Sequence, residues 1–129
     1  MGFILEPNNG GGDFVINGWN WRPTISLLER LGVVPNGERS ERCLGNGCGG
    51  YFSIEEAIRA ADVLEEFLAS LNASHRILHD GLITDKPIDY QKPISEWTAD
   101  DTYDHYSAKY EVLIAFARFC RTSGGFLVH

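Results

Sequence analysis

The sequence predicts an α+β domain, mainly helical, in which two long helices and one short helix pack beside a small antiparallel β-sheet. Three observations predict it. Two stretches, opening at Ser53 and at Thr98, begin with a capping pair and continue with apolar residues at helical spacing. Short β-favouring runs near the N-terminus flank a glycine-rich turn. The composition, 43% hydrophobic and 22% charged over 129 residues, is ordinary globular usage, and the length suits a single domain over 1–129.

Phe3 to Glu6 and Phe14 to Ile16 are the β-favouring runs, separated by Pro7, two asparagines and three glycines, which reads as a small hairpin. No lysine or helix start follows the glycines at phosphate-loop spacing, so they are read as a turn. A first helix is expected from Asn20, which can cap it, with Pro23 in the first turn, a buried stripe at Ile25, Leu28 and Leu31, and Gly32 as its stop. Residues 32–52 hold a proline, six glycines and several charges, and read as a long loop with a short extended piece near Tyr51 and Phe52.

Ser53 and Glu56 then form a capping box. Ile54, Ala57, Ile58, Ala61, Leu64, Leu68 and Leu71 fall on one face of the second helix, opposite Glu55, Arg59, Asp62 and Glu66. This helix stops near Leu71 or runs on to Asp80, with Gly81 the clearer stop. Leu82 to Trp97 lacks a helical period and carries Pro87 and Pro93, so it is expected to cross the surface irregularly, pinned by Ile83, Ile88, Tyr90 and Ile94. Thr98 and Asp101 open the third helix, with Asp100, Asp101 and Asp104 at its positive end. Its stripe is Tyr106, Tyr110, Leu113, Ala117 and Cys120, broadened by Val112, Phe116 and Phe119. Gly124 and Gly125 end it, and Phe126 to Val128 can add a final strand.

Eighteen acidic against eleven basic residues give a net charge of -7, which repels phosphate backbones and anionic lipid. Nucleic acid and membrane are therefore not the expected partners, and a protein partner with a basic surface is. The three cysteines are an odd count without the density of a disulfide scaffold, and no apolar run is long enough to cross a membrane. A cytoplasmic location is expected.

Cys43 and Cys48, four residues apart within the loop, and His75 and His79, which would share a face if the second helix ran that far, are the candidate metal ligands, with zinc as the implied ion. Against this stand the wide separation of the two pairs and the absence of a hairpin to present the thiolates. Asp100, Asp101 and Asp104 spell Asp-Asp-x-x-Asp, a magnesium-binding string, but helix capping accounts for all three. Cys48 among glycines could serve as a nucleophile with His75, His79 or His105 as base, yet nothing in sequence joins these residues. Cys120, on the buried stripe, is expected to be inert. Trp19 and Trp21, with Tyr90 and Trp97, are the candidate binding residues; of the two neighbouring tryptophans one is expected to pack inward and the other to stay near the surface.

Where Gly49-Gly50-Tyr51-Phe52-Ser53-Ile54-Glu55-Glu56-Ala57 leads into the second helix, and Phe116-Ala117-Arg118-Phe119-Cys120-Arg121 leads into Ser123-Gly124-Gly125-Phe126, the chain resembles short uncharacterised bacterial proteins. The resemblance covers most of the chain but rests on caps and packing residues, and it brings no activity with it. The function expected is that of a small non-catalytic binding protein, of regulator or toxin-neutralising type, that engages a macromolecular partner without a cofactor. The alternative is a zinc-binding module, structural or catalytic.

Overall fold

In the computed structural model, which describes residues 2–129, the N-terminal runs form the expected hairpin. β1 (Gly2–Pro7) alternates strictly, with Phe3, Leu5 and Pro7 inward and Ile4 and Glu6 outward, as the two-residue period of a strand requires. β2 (Phe14–Asn17) pairs with it antiparallel, Phe3 opposite Ile16 and Leu5 opposite Phe14. The expected C-terminal strand is also present. It is β7 (Phe126–Val128), and it lies inside the sheet, between β1 and β3 (Gly50–Phe52), to give the antiparallel order β2-β1-β7-β3.

Helix α1 (Gly18–Arg30) starts earlier than the sequence suggested. Asn17 is the cap, its side chain accepting the Asn20 N–H at 2.9 Å, so Pro23 falls beyond the first turn. The long loop after Gly32 contains a six-residue helix, α2 (Glu38–Cys43), too short to show an apolar period. Its packing explains Gly50: a Cβ there would stand 2.7 Å from the Arg42 carbonyl oxygen, so only glycine lets β3 approach this closely.

Helix α3 (Ile54–Leu68) carries the capping box of Ser53 and Glu56. Ala57, Ala61, Leu64 and Leu68 are buried as expected, but Ile54 and Ile58 are exposed. The contact face is centred on Ala57, Ala60 and Ala61, whose small side chains let the neighbouring helix come close, and the two isoleucines lie to one side of it. The helix also ends at Leu68, before either expected stop. The Asn72 side chain accepts the Ser74 N–H at 2.9 Å, turning the chain into β4 (Arg76–Leu78). Residues 76–78 are therefore strand, and His75 and His79 do not sit four apart on a helix.

The largest departure lies between Thr98 and Gly124. Instead of one helix there are α4 (Ala99–His105) and α5 (Tyr110–Ser123), separated by β6 (Ser107–Lys109). α4 has the predicted capping box of Thr98 and Asp101, but its last residues include poor helix formers, and β4 offers Ser107–Lys109 an antiparallel partner. With β5 (Ile83–Thr84) these strands make a second sheet, β5-β4-β6. The stretch 82–97 is otherwise irregular apart from one 3-10 turn at Ile94–Glu96. Contrary to expectation, Ile83, Tyr90 and Ile94 are exposed, and only Ile88 is partly covered.

The core lies between the four-stranded sheet and helices α1, α3 and α5. Phe116 of α5 is its centre, with ring centroids of Trp21 at 5.5 Å, Phe14 and Phe126 at 6.0 Å and Phe52 at 6.3 Å. Leu64, Leu68, Leu113 and Phe116 are all buried, as their stripes required. Leu113→Ala removes a fully enclosed side chain and should cost about 2 to 5 kcal/mol, read as a lowered midpoint of chemical unfolding.

Candidate functional site

Where α1 begins, α4 ends and β6 passes, the irregular segment 88–97 lies across the surface and encloses a cleft of about 360 Å³. Three of the four candidate binding residues, Trp19, Tyr90 and Trp97, line it. The fourth, Trp21, does not. It is fully buried, and its indole N–H donates to the Cys43 carbonyl at 2.7 Å, so it holds α1 to the end of α2 and is closed to any partner. Neighbours at this spacing on a helix point to different sides, and here one faces the core and the other the cleft.

Each wall is fixed by identifiable contacts. Trp97 stacks on His105 with ring centroids 4.0 Å apart, and its N–H donates to the Lys92 carbonyl at 2.9 Å. Trp19 packs edge-on to Trp97 at 5.6 Å and against Tyr106 at 4.4 Å. The Lys109 ammonium donates to the Tyr90 hydroxyl at 2.6 Å, and the Lys109 backbone N–H donates to Asn20 Oδ1 at 3.0 Å. Beneath lies Arg76, 4% exposed, which donates to the Lys86 carbonyl at 2.9 Å and pairs with Asp104 at 2.9 Å. One buried guanidinium thus joins β4, the start of the crossing segment and the end of α4.

Two features of the cleft concern its chemistry. His105 Nδ1 stands 2.8 Å from the Asp101 carbonyl oxygen. A carbonyl only accepts, so Nδ1 carries a proton, and in the neutral ring Nε2 is then an acceptor. That atom is buried and has no partner among the described residues. An acceptor left in this state costs about 1 to 3 kcal/mol. The second feature is charge. The lining contains Lys92 and Lys109 and no acidic side chain, although the chain is strongly acidic. Lys92 is paired with Asp101 at 2.9 Å. Asp101 is held down to about 2, first by the Thr98 backbone N–H and then by Lys92.

The sequence-predicted metal ligands are not brought together. Cys43 is buried and Cys48 exposed, His75 accepts the Asn72 N–H in the turn before β4, and His79 lies beyond that strand. Among the described residues, no three His, Cys, Asp or Glu side chains are grouped to hold a metal ion. Asp101 and Asp104 are occupied by Lys92 and Arg76. The Cys48 thiol contacts the Asn46 carbonyl at 3.6 Å rather than a histidine. Burial pushes the Cys43 thiol up to about 11, and burial alone raises that of Cys120.

Sequence reasoning missed Lys92, Lys109 and Asn20 as parts of the cleft and raised His105 only as a base. The available signal was turn chemistry at Asn72 and the weak helix formers after Asp104. The chain matches no family model, no curated protein and no solved structure. No family with an established function can therefore lend it residue roles. Among the described residues no helix is long and apolar enough to cross a membrane.

A carboxylate lowered on folding adds stability that is present above its ordinary range near ~4 and lost as pH falls through its folded value. The stability advantage of wild type over Asp101→Asn should therefore shrink between about pH 4 and pH 2, as followed by thermal unfolding. The thiols give a separate check. A thiol reagent at neutral pH should modify Cys48 alone in the folded protein, and Cys43 and Cys120 only after unfolding, as counted by mass spectrometry.

Proposed function

We propose that this protein is a small, non-catalytic binding protein, of regulator or toxin-neutralising type, which grips a macromolecular partner at the aromatic cleft. The observation that carries the reading is the convergence there of Trp19 from α1 with Tyr90 and Trp97 from the crossing segment, beside a buried acceptor without a partner among the described residues. Concave aromatic surface with few polar groups is what a partner's anchoring side chain needs. The polar side chains around it are engaged in holding its walls, and none forms a nucleophile–base pair.

The partner is a protein, and neither nucleic acid nor membrane, since the net charge of -7 opposes both. That field draws in a basic partner at long range, whereas Lys92 and Lys109 make the cleft itself suited to a neutral, flat side chain. Three free thiols accord with a cytoplasmic location in a bacterial cell. The protein acts without a cofactor; one equivalent of zinc in the purified protein would overturn that part.

With a partner recovered by affinity capture, Trp19→Ala and Trp97→Ala should each weaken the complex by about 2 kcal/mol or more. In nuclear magnetic resonance spectra the indole N–H signals of Trp19 and Trp97 should shift on binding while that of Trp21, buried on Cys43, stays in place. Full affinity in both folded variants would refute the cleft.

A further inference from the structure

We propose that the free edge of β2 receives an extended segment of the protein partner as an added strand, with a basic residue of that segment against Glu111 and a flat side chain seated in the aromatic cleft. The inference rests on the binding role of that cleft and supplies the backbone part of the contact. It begins with hydrogen-bond direction. Ile4 exchanges both backbone bonds with His129, its N–H donating at 3.1 Å and its carbonyl accepting at 2.9 Å, so both groups face β7. In antiparallel pairing hydrogen-bonded and non-bonded residue pairs alternate. Val15, opposite Ile4, is therefore in a non-bonded pair, and its own N–H and carbonyl face away from β1 toward the open side. No group among the described residues bonds to either.

The other edge of the same sheet is closed. There Arg39 donates to the Tyr51 carbonyl at 3.1 Å, and α2 packs along β3. Proteins ordinarily protect strand edges in such ways, and β2 lacks the protection. Beside it runs a groove of about 360 Å³ lined by all four residues of β2. Successive strand residues point to opposite faces, so only the backbone edge can be common to the four. The far wall is the first two turns of α5, with Glu111, Val112 and Ala115, and the groove shares Asn17 and Asn20 with the aromatic cleft. A strand laid along β2 leads directly to Trp19.

Charge and size choose the occupant. Glu111 lines the groove and Asp13 precedes β2, both exposed and without an ion pair among the described residues, so a basic segment is complementary to this edge. A second copy is not. It would bring the same two acids, and beyond its Phe14 an antiparallel β2 continues into Asp13 and Gly10 to Gly12, which offer nothing flat to the cleft. A ladder of four residues also falls far short of the roughly 1,200 Å² that stable interfaces bury.

The test uses the whole protein, labelled with nitrogen-15, and peptides selected on it from a linear random-peptide library. The expected result is peptides with an aromatic residue near a basic, extended run. Binding should move the Trp19 and Trp97 indole signals and protect the Val15 amide from hydrogen exchange. Val15→Pro removes the outward donor without breaking a bond to β1, at a residue 70% exposed, and should weaken binding roughly tenfold; Glu111→Lys should weaken it and reduce its salt dependence. Peptides that shift the two indoles but leave Val15 unprotected would overturn strand addition while sparing the cleft. Peptides that shift neither, or a library yielding no binder, would overturn both. Self-association abolished by Val15→Pro would give the edge to a second copy and so defeat the proposal. Should Val15→Pro fail to fold, protection of Val15 in the wild-type complex decides alone.

Discussion

The pairing of Ser107–Lys109 with Arg76–Leu78, held over a buried Arg76, is the constraint from which the aromatic cleft follows. A guanidinium taken out of water must have its donors met, and here they are met by the Lys86 carbonyl, the Ser107 hydroxyl and Asp104. Those partners lie in the crossing segment and, about twenty residues on, in the adjoining end of α4 and start of β6. Meeting them brings the crossing segment 82–97, the end of α4 and β6 to one place. The Tyr110 N–H donating to the His75 carbonyl and the Lys109 N–H donating to Asn20 then attach this assembly to α5 and α1. Trp19, Tyr90, Trp97 and His105 face one another as a consequence.

The two sheets have different duties. The four-stranded sheet closes the core, because Phe3, Leu5, Ile16, Phe52, Phe126 and Val128 all turn inward toward α1 and α5. It is stabilised by apolar burial and aromatic packing, which are strong but indifferent to detail on the outer face. Among the described residues the three-stranded sheet buries only Ile77 and Ala108 as apolar side chains and depends on polar contacts, which are directional. Directional contacts can hold an open cleft in one shape. Apolar burial alone would tend to close it.

Charge separates in the same way. Most acids stand on helix surfaces or at helix starts, where Glu55, Glu56, Asp100 and Asp101 meet the positive ends of α3 and α4. The cleft is spared them and carries two lysines, one already paired. The net charge of -7 thus describes the field far from the molecule, whereas the local set of side chains decides the field inside the cleft.

The sequence by itself determined those elements whose cause is local. The capping boxes at Ser53 and Thr98, the left-handed stop at Gly124 with φ 73°, the hairpin around the glycine run and the buried stripe of Leu64, Leu68, Leu113 and Phe116 each depend on residues within a few positions of one another. It also named four large amphipathic rings, of which Trp19, Tyr90 and Trp97 line the cleft and Trp21 is buried in the core. What it could not determine is where distant partners compete with local preference. The apolar period from Tyr106 to Cys120 suits a continuous helix, and only the strand at Arg76–Leu78 makes extension at Ser107–Lys109 more favourable. The same pairing removes His75 and His79 from a helix and so undoes the geometry that suggested zinc. Which of Trp19 and Trp21 faces inward was likewise decided by tertiary packing, since Phe116 and the Cys43 carbonyl wait on one side of α1 and the cleft on the other. Nonlocal hydrogen bonds have no period for a sequence to display, and the cleft is made from them.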